Sequence, residues 1–267
     1  MAQLTHHDAV AERAATDAQR AAVAAGVSIR ELTGINEQAA AISLLAEIWK
    51  RSPENPPVPP ELLRAMSKAG NYIGGAFAGE TLIGVAIAFH SGPERHALHS
   101  HIAGVSAEHT GRAAGFALKQ HQRAWALARG IDLIEWTFDP LVARNAYFNI
   151  VKLGAHPAEY LANFYGEIAD GVNNDDETDR VLISWQLTSD TAIACAAGTP
   201  VRAAREDGDE YVAIPADIEQ VRQEDRAAAR RWRRDVRTRL TTLLDSGAQI
   251  VGFDRTEGYL VRPRKDS

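Results

Sequence analysis

Residues 96–130, HALHSHIAGVSAEHTGRAAGFALKQHQRAWALARG, decide the fold of this chain. His96 to Val105 predicts a strand that alternates and ends in small residues, Ala103 and Gly104, before Val105. Further on, Ala113, Ala117, Ala124 and Ala128 stand beside Phe116, Leu118, Trp125 and Leu127, an apolar face at helical spacing. Between the two, Thr110-Gly111-Arg112-Ala113-Ala114-Gly115 opens the helix with almost no side-chain bulk. The first N–H groups of a helix have no partner inside it, and the helix dipole is positive at the same end. Such a turn suits an anion, so strand, small-residue turn and helix suggest a pyrophosphate site. Close packing of the turn is the alternative.

The rest of the chain sets bounds. With 267 residues and 45% hydrophobic content it can bury one good core, or one core and a smaller satellite. A net charge of −6 argues against a general nucleic-acid binder, because phosphate backbones reward clustered positive charge. A single cysteine, Cys195, excludes an intrachain disulfide and a cysteine-rich zinc site. No stretch has the length to span a bilayer, and the first residues lack the basic-then-apolar order of a secretion signal. A soluble cytoplasmic protein without a membrane partner is the simplest expectation.

In chain order, residues 1–26 read as a surface helix and Val27 to Leu32 as a short strand. Asn36 is placed to cap a helix whose face is Ala40, Leu44, Leu45, Ile48 and Trp49. The prolines from Pro53 to Pro60 impose a loop, and Pro60 begins another helix through Met66. Tyr72 to Ala78 and Thr81 to Phe89 flank Gly79-Glu80 and predict a hairpin. After the deciding stretch come a buried strand from Ile131 to Phe138 and a helix from Ala143 to Leu153 closed by Gly154. Strands follow around Glu159 to Tyr165 and Val181 to Leu187.

The deciding stretch resembles the acetyl-CoA-binding motif of the GCN5-related N-acetyltransferase (GNAT) superfamily, a strand ending in Val followed by Gln/Arg-x-x-Gly-x-Gly/Ala. Counted from Val105, Thr110 takes the Gln/Arg position, Ala113 the first Gly and Gly115 the second. A register shifted by two, Arg112-x-x-Gly115-x-Ala117, fits the letters but lies deeper in the helix. Ala146, Lys152, Leu153 and Gly154 match a second motif of the superfamily. Trp136 to Leu141, Arg144-Asn145-Ala146 and Asn163 to Gly166 resemble one little-characterised branch of it. The resemblance implies an α/β fold over residues 27–187, a mixed, mostly antiparallel twisted sheet flanked by helices. Residues 1–26 are then an N-terminal helical extension, 188–208 a linker, and 209–267 a small C-terminal α+β extension of strand, helix and hairpin.

It further implies acyl transfer from acetyl-CoA or another acyl-CoA, as co-substrate, to an amine of a small molecule. Gly104, Val105 and the run Thr110, Gly111, Arg112, Ala113, Ala114 and Gly115 would hold the CoA, with Asn145 and Asn149 on the arm. The central strands would splay at Ala103 to Val105, with a backbone N–H near Val105 polarising the thioester. An amine needs a base at neutral pH. His99, six residues before Val105, stands where superfamily members carry an acidic base, and His101 shares its face by strand alternation. Two histidines without a third ligand nearby give no argument for a metal. A tyrosine that would protonate the leaving thiolate is replaced by Ile150, leaving Tyr147, Tyr160 and Tyr165 as alternatives.

Eight arginines lie between Arg222 and Arg239 on a helix read from Asp217 to Leu244. They read as a solvated face paired with nearby acids, or as a patch for the CoA 3′-phosphate or an acidic substrate. The helix's apolar stripe, Trp232, Val236, Leu240, Leu243 and Leu244, must pack on the core or on a second subunit of a homodimer. A non-catalytic acyl-CoA-binding or assembly module is the alternative to a transferase. The acceptor is set by residues 53–60, 90–95 and 167–179.

Overall fold

Alternation in residues 97–105 becomes a strand because each neighbour supplies a ladder. A computed structural model describes residues 6–52, 54–166 and 177–264. Pro53 and residues 167–176, on which part of the acceptor-loop expectation falls, lie outside the described residues, as do residues 1–5, on which part of the N-terminal helix expectation falls. The chain divides into two compact units, residues 1–135 with 186–197, and residues 136–185 with 198–267.

The first unit begins with α1 (His6–Ala25), β1 (Ser28–Glu31), α2 (Ile35–Ile48) and α3 (Pro60–Lys68). The hairpin β2 (Tyr72–Ala78) and β3 (Thr81–His90) follows, then β4 (Ala97–Val105), α4 (Ala114–Leu127) and β5 (Leu133–Phe138). His96, expected in the strand, turns instead, at φ 44°. β1–β2, β2–β3 and β3–β4 pair antiparallel and β4–β5 parallel. With β6 (His156–Leu161) and β7 (Arg180–Gln186), which pair antiparallel, the strand order is β1-β2-β3-β4-β5-β7-β6. This is the mixed, mostly antiparallel α/β sheet implied by the resemblance.

Each face of the first unit's strands carries helices. On one, Leu32, Ile73, Val85 and Ile87 pack with Leu45 of α2 and Leu63 of α3. On the other lies α4, itself covered by α1. The expected surface helix α1 therefore buries Val10, Ala14, Asp17, Ala18, Ala21 and Ala22. Arg123 of α4 donates twice to Leu187 O, at 3.0 and 2.8 Å, and lies 3.8 Å from Asp17. The stretch 188–208, expected as a linker, contains α6 (Asp190–Ala196), capped by Ser189 and held to α1 through Arg20 and Ala196 O. The cap of α2 is Gly34 rather than Asn36, because the Glu37 carboxylate accepts from the Gly34 N–H at 2.9 Å.

In the second unit the helix expected from Ala143 to Leu153 is α5 (Ala143–Ala146) followed by a π-helical turn, Tyr147–Lys152. Leu153 N there reaches back five residues to Phe148 O. Gly154, at φ 69°, closes it as expected. β8 (Glu210–Val212), β10 (Gly258–Arg262) and β9 (Gln249–Asp254) form a second sheet in that order. The long arginine helix is two, α7 (Ile218–Glu224) and α8 (Arg226–Asp245). Asp225 between them takes extended backbone and caps α8 by accepting from Ala228 N.

Its arginines are largely engaged. Arg233 grips buried Asp139 at 2.7 and 2.9 Å, Arg222 adds a third bond at 2.6 Å, and Arg237 binds Asp179 and Glu177. Burial alone would raise the Asp139 carboxyl, but the Arg233 and Arg222 guanidiniums hold it well below the usual carboxylate range. A depressed folded pKa stabilises the protein above the unfolded value, roughly pH 4, and that contribution fades as pH falls. Arg233→Ala leaves a buried carboxylate half-compensated. We expect a loss of about 3–5 kcal/mol, read as a lower urea midpoint at pH 7, with the difference from wild type shrinking in acid.

Candidate functional site

β4 has full antiparallel support on one edge and partial support on the other. The β3 ladder runs from Leu98 to Val105, whereas the β5 ladder comprises Ala97↔Leu133, Leu98↔Ile134 and His99↔Glu135. Within the first unit the β4–β5 ladder ends at His99↔Glu135. Ser106 N donates to Ile83 O of β3 at 2.8 Å. Successive strand N–H groups alternate edges, so those of Val105 and Ala103 point to the open side.

The two faces of this edge differ chemically. Val85 and Ile87 face α2 and α3, so Phe89, two residues on, shares that face, and His99 pairs opposite Phe89. The expectation that His101 points the same way from simple alternation needs correction. Ile87 pairs with Ile102 but Ala88 with Ser100, so His101 is the extra residue of a bulge. The bulge nevertheless keeps the rings together, with His99 5.0 Å and His101 5.9 Å from Phe89 and 6.4 Å from each other. Desolvation lowers both imidazoles, and the charges of His101 and Lys119 lower His99 further. Both rings are therefore neutral, proton-accepting groups at pH 7. Glu135, beside His99 in the ladder, accepts from Arg95 at 2.7 Å.

On the opposite face, Tyr72, Ala88 and Ser100 form a row across β2, β3 and β4. Buried Lys119 of α4 donates there to Ser100 Oγ at 2.8 Å and to Gln122 Oε1 at 3.0 Å. Burial brings its pKa down to about 7. Ser100 is the first residue of β4 beyond the β5 ladder.

The small-residue turn lies at the far end of the same edge. α4 begins at Ala114, no side chain caps it, and its first internal bond is Ala117 N to Ala113 O. The N–H groups of Ala114, Gly115 and Phe116 thus remain for an anion. A Cβ added at Gly111 would meet nothing within 4 Å, and one at Gly115 only Val105 Cγ2 at 3.8 Å, so open space lies over them. Arg112 and Thr110 are exposed, with Thr110 Oγ1 donating to Ser106 O. Ala113 sits at φ 64°, a left-handed conformation that favours glycine. That backbone favours the register in which Ala113 occupies the first Gly position. Gly104 has a different reason: a Cβ there would lie 2.6 Å from the Trp49 ring.

Asn145, Asn149 and Tyr147 belong to the second unit, on α5 and the π-helical turn. Asn149 is buried and Asn145 half-buried. Arg255 lies 3.9 Å over the Tyr147 ring, and Arg202 donates to its hydroxyl at 3.4 Å. Tyr160 donates to Asp179 and is raised by burial and by that bond, which makes it a poorer acid. Tyr165 Oη meets Thr137 Oγ1 at 3.1 Å.

No protein-family model matches the sequence, and neither does any curated protein. Solved structures do resemble the fold. An N-acetyltransferase from Staphylococcus aureus Mu50 superposes with a TM-score of 0.50 at 16% identity, covering 60% of this chain and 98% of its own. yncA from Salmonella typhimurium, a candidate acetyltransferase solved with its cofactor acetyl-CoA, gives 0.50 at 15% identity, covering 61% and 94%. The chain has the GNAT fold.

In this GNAT-fold chain, sequence reasoning passed over Lys119 and Ser100. The available signal was a run of polar residues, Lys119 to Arg123, on a helix whose neighbours leave them buried. Ala113 yields a direct test of the turn. A left-handed alanine carries about 1 kcal/mol of strain that glycine lacks. Ala113→Gly should therefore raise the unfolding free energy by up to that amount, measured by urea titration, if the turn keeps its conformation in solution.

Proposed function

We propose that the protein transfers an acyl group, most simply acetyl, from an acyl-CoA to an amine of a small molecule. The observation that carries this reading is the open edge of β4, which runs from an uncapped helix N-terminus to a pair of neutral histidines. The N–H groups of Ala114, Gly115 and Phe116 would hold the pyrophosphate beside Gly111 and Arg112. Along the edge, the N–H groups of Ala103 and Val105 would donate to the amide carbonyls of an extended arm. Val105 touches the helix start, so it holds the near end of that arm. From Val105 back to Ser100 the strand covers about 17 Å, which brings the arm's far end beside His99.

The acyl-CoA supplies an activated carbonyl; the protein supplies position and proton transfer. A free alkyl ammonium, with a pKa of about 10, is not nucleophilic at pH 7, and His99 is the group placed to take its proton, with His101 in relay. Support for a purely acyl-CoA-binding module comes from Ile150, which stands where the resembling enzymes carry a tyrosine. Free-thiol release from acetyl-CoA across an amine panel separates the two. Saturable CoA binding without thiol release leaves only the binding module.

Two variants test the assignments. Gly115→Glu puts a carboxylate into the space over the helix N-terminus and should weaken CoA binding at least tenfold by calorimetry; unchanged affinity in the folded variant removes the pyrophosphate assignment. His99→Ala should lower turnover by roughly a hundredfold or more at neutral pH, with little change in CoA affinity. Because its pKa is depressed, wild-type activity should persist below pH 6.5 and fall only as the imidazole charges. The deficit of His99→Ala should narrow at high pH, where more acceptor is neutral. Losses for His99→Ala and His101→Ala that fail to add would show that the rings act as one relay.

A further inference from the structure

We propose that Lys119, acting through the Ser100 hydroxyl, is the proton donor to the departing CoA thiolate. The inference rests on the acyl-transfer reading above and assigns the role that Ile150 leaves vacant. Three features of the first unit carry it.

The first is position along the edge. Ser100 follows the last β4 residue paired with β5 within the first unit, and its hydroxyl receives the Lys119 ammonium at 2.8 Å. The length of strand between the helix N-terminus and Ser100 matches an extended phosphopantetheine arm, so in the proposed pose the sulfur falls beside Ser100. The second is position across the strand. His99 and His101 lie on the face toward α2 and α3, while Ser100 and Lys119 lie on the face toward α4. A thioester in the strand plane would therefore have a base on one side and an ammonium on the other. The third is the environment. Lys119 is buried at 5% exposure, and burial lowers it to about 7, below an ordinary thiol near 8.5, so proton transfer to a thiolate runs downhill.

The proton balance is complete. The amine nitrogen forms the new C–N bond, its proton passes to His99, and the C–S bond breaks with its electron pair on sulfur. Ser100 gives its hydroxyl proton to sulfur and takes one from Lys119. Amine and thioester become amide and thiol, His99 returns its proton to solvent, and Lys119 regains one.

The test needs Lys119→Met, which keeps the volume without the charge, and Ser100→Ala. Turnover with acetyl-CoA should fall by about a hundredfold or more in Lys119→Met and by a smaller factor in Ser100→Ala, with KM for acetyl-CoA little changed. A second readout is the pH profile of turnover. Wild type should lose rate above about pH 7, where Lys119 gives up the proton it donates, and Lys119→Met should lack that alkaline limb. The same alkaline limb in Lys119→Met, or wild-type turnover in that variant, overturns the proposal. A wild type that releases no thiol from acetyl-CoA with any amine instead overturns the acyl-transfer reading, and the donor role falls with it.

Discussion

The parallel ladder between β4 and β5 runs from Ala97↔Leu133 to His99↔Glu135 and ends there. A parallel pair cannot be joined by a tight turn, so the chain needs a crossover, and α4 supplies it. The crossover leaves β4 at its C-terminal end, which fixes the N-terminus of α4 beside Val105. Beyond that ladder the N–H groups of Ala103 and Val105 point away from β3, the edge along which the proposed acyl-CoA arm would run. The helix N-terminus, the strand edge and the histidine pair thus follow one another along a single strand, and the proposed acyl-CoA pose takes its order from them.

The same arrangement explains an unusual burden of buried polar groups. α4 lies between the strands on one side and α1 on the other, so Lys119, Gln120, Gln122 and Arg123 are all buried. Arg123 meets the Leu187 carbonyl and Asp17, and Lys119 meets Ser100 and Gln122. Burying a charge costs several kcal/mol unless good partners offset it.

The legible part of the chain was the part written in periodicity. The alternation before Val105, the small turn at Thr110 to Gly115 and the helical face after it located β4 and α4 to within a few residues. The Gly79-Glu80 hairpin and the stop at Gly154 were equally plain, since turn chemistry is local. Three features were hidden because they depend on a neighbour far along the chain. The bulge at His101 exists only through the count of β3 against β4. The break at Asp225 depends on a carboxylate choosing to cap α8, where helical propensity runs through. Lys119 carried no local signal, because its burial depends on α4 packing between the strands and α1.

The proposed base and acid lie on opposite faces of one strand. Burial lowers both groups, and the Lys119 charge adds to the lowering of His99. With an ordinary imidazole near 6.5 pushed down and the ammonium at about 7, the first proton to bind as pH falls goes to Lys119. Its arrival opposes the second, which would go to His99. The singly protonated state favoured near neutral pH is therefore imidazole neutral and ammonium charged. In the proposed reaction, attack by an amine uses that neutral base and departure of the thiolate uses that charged acid. Were both groups on one face in direct contact, they would share the proton and neither would be committed; on opposite faces, the field acts while the proton stays where it is needed.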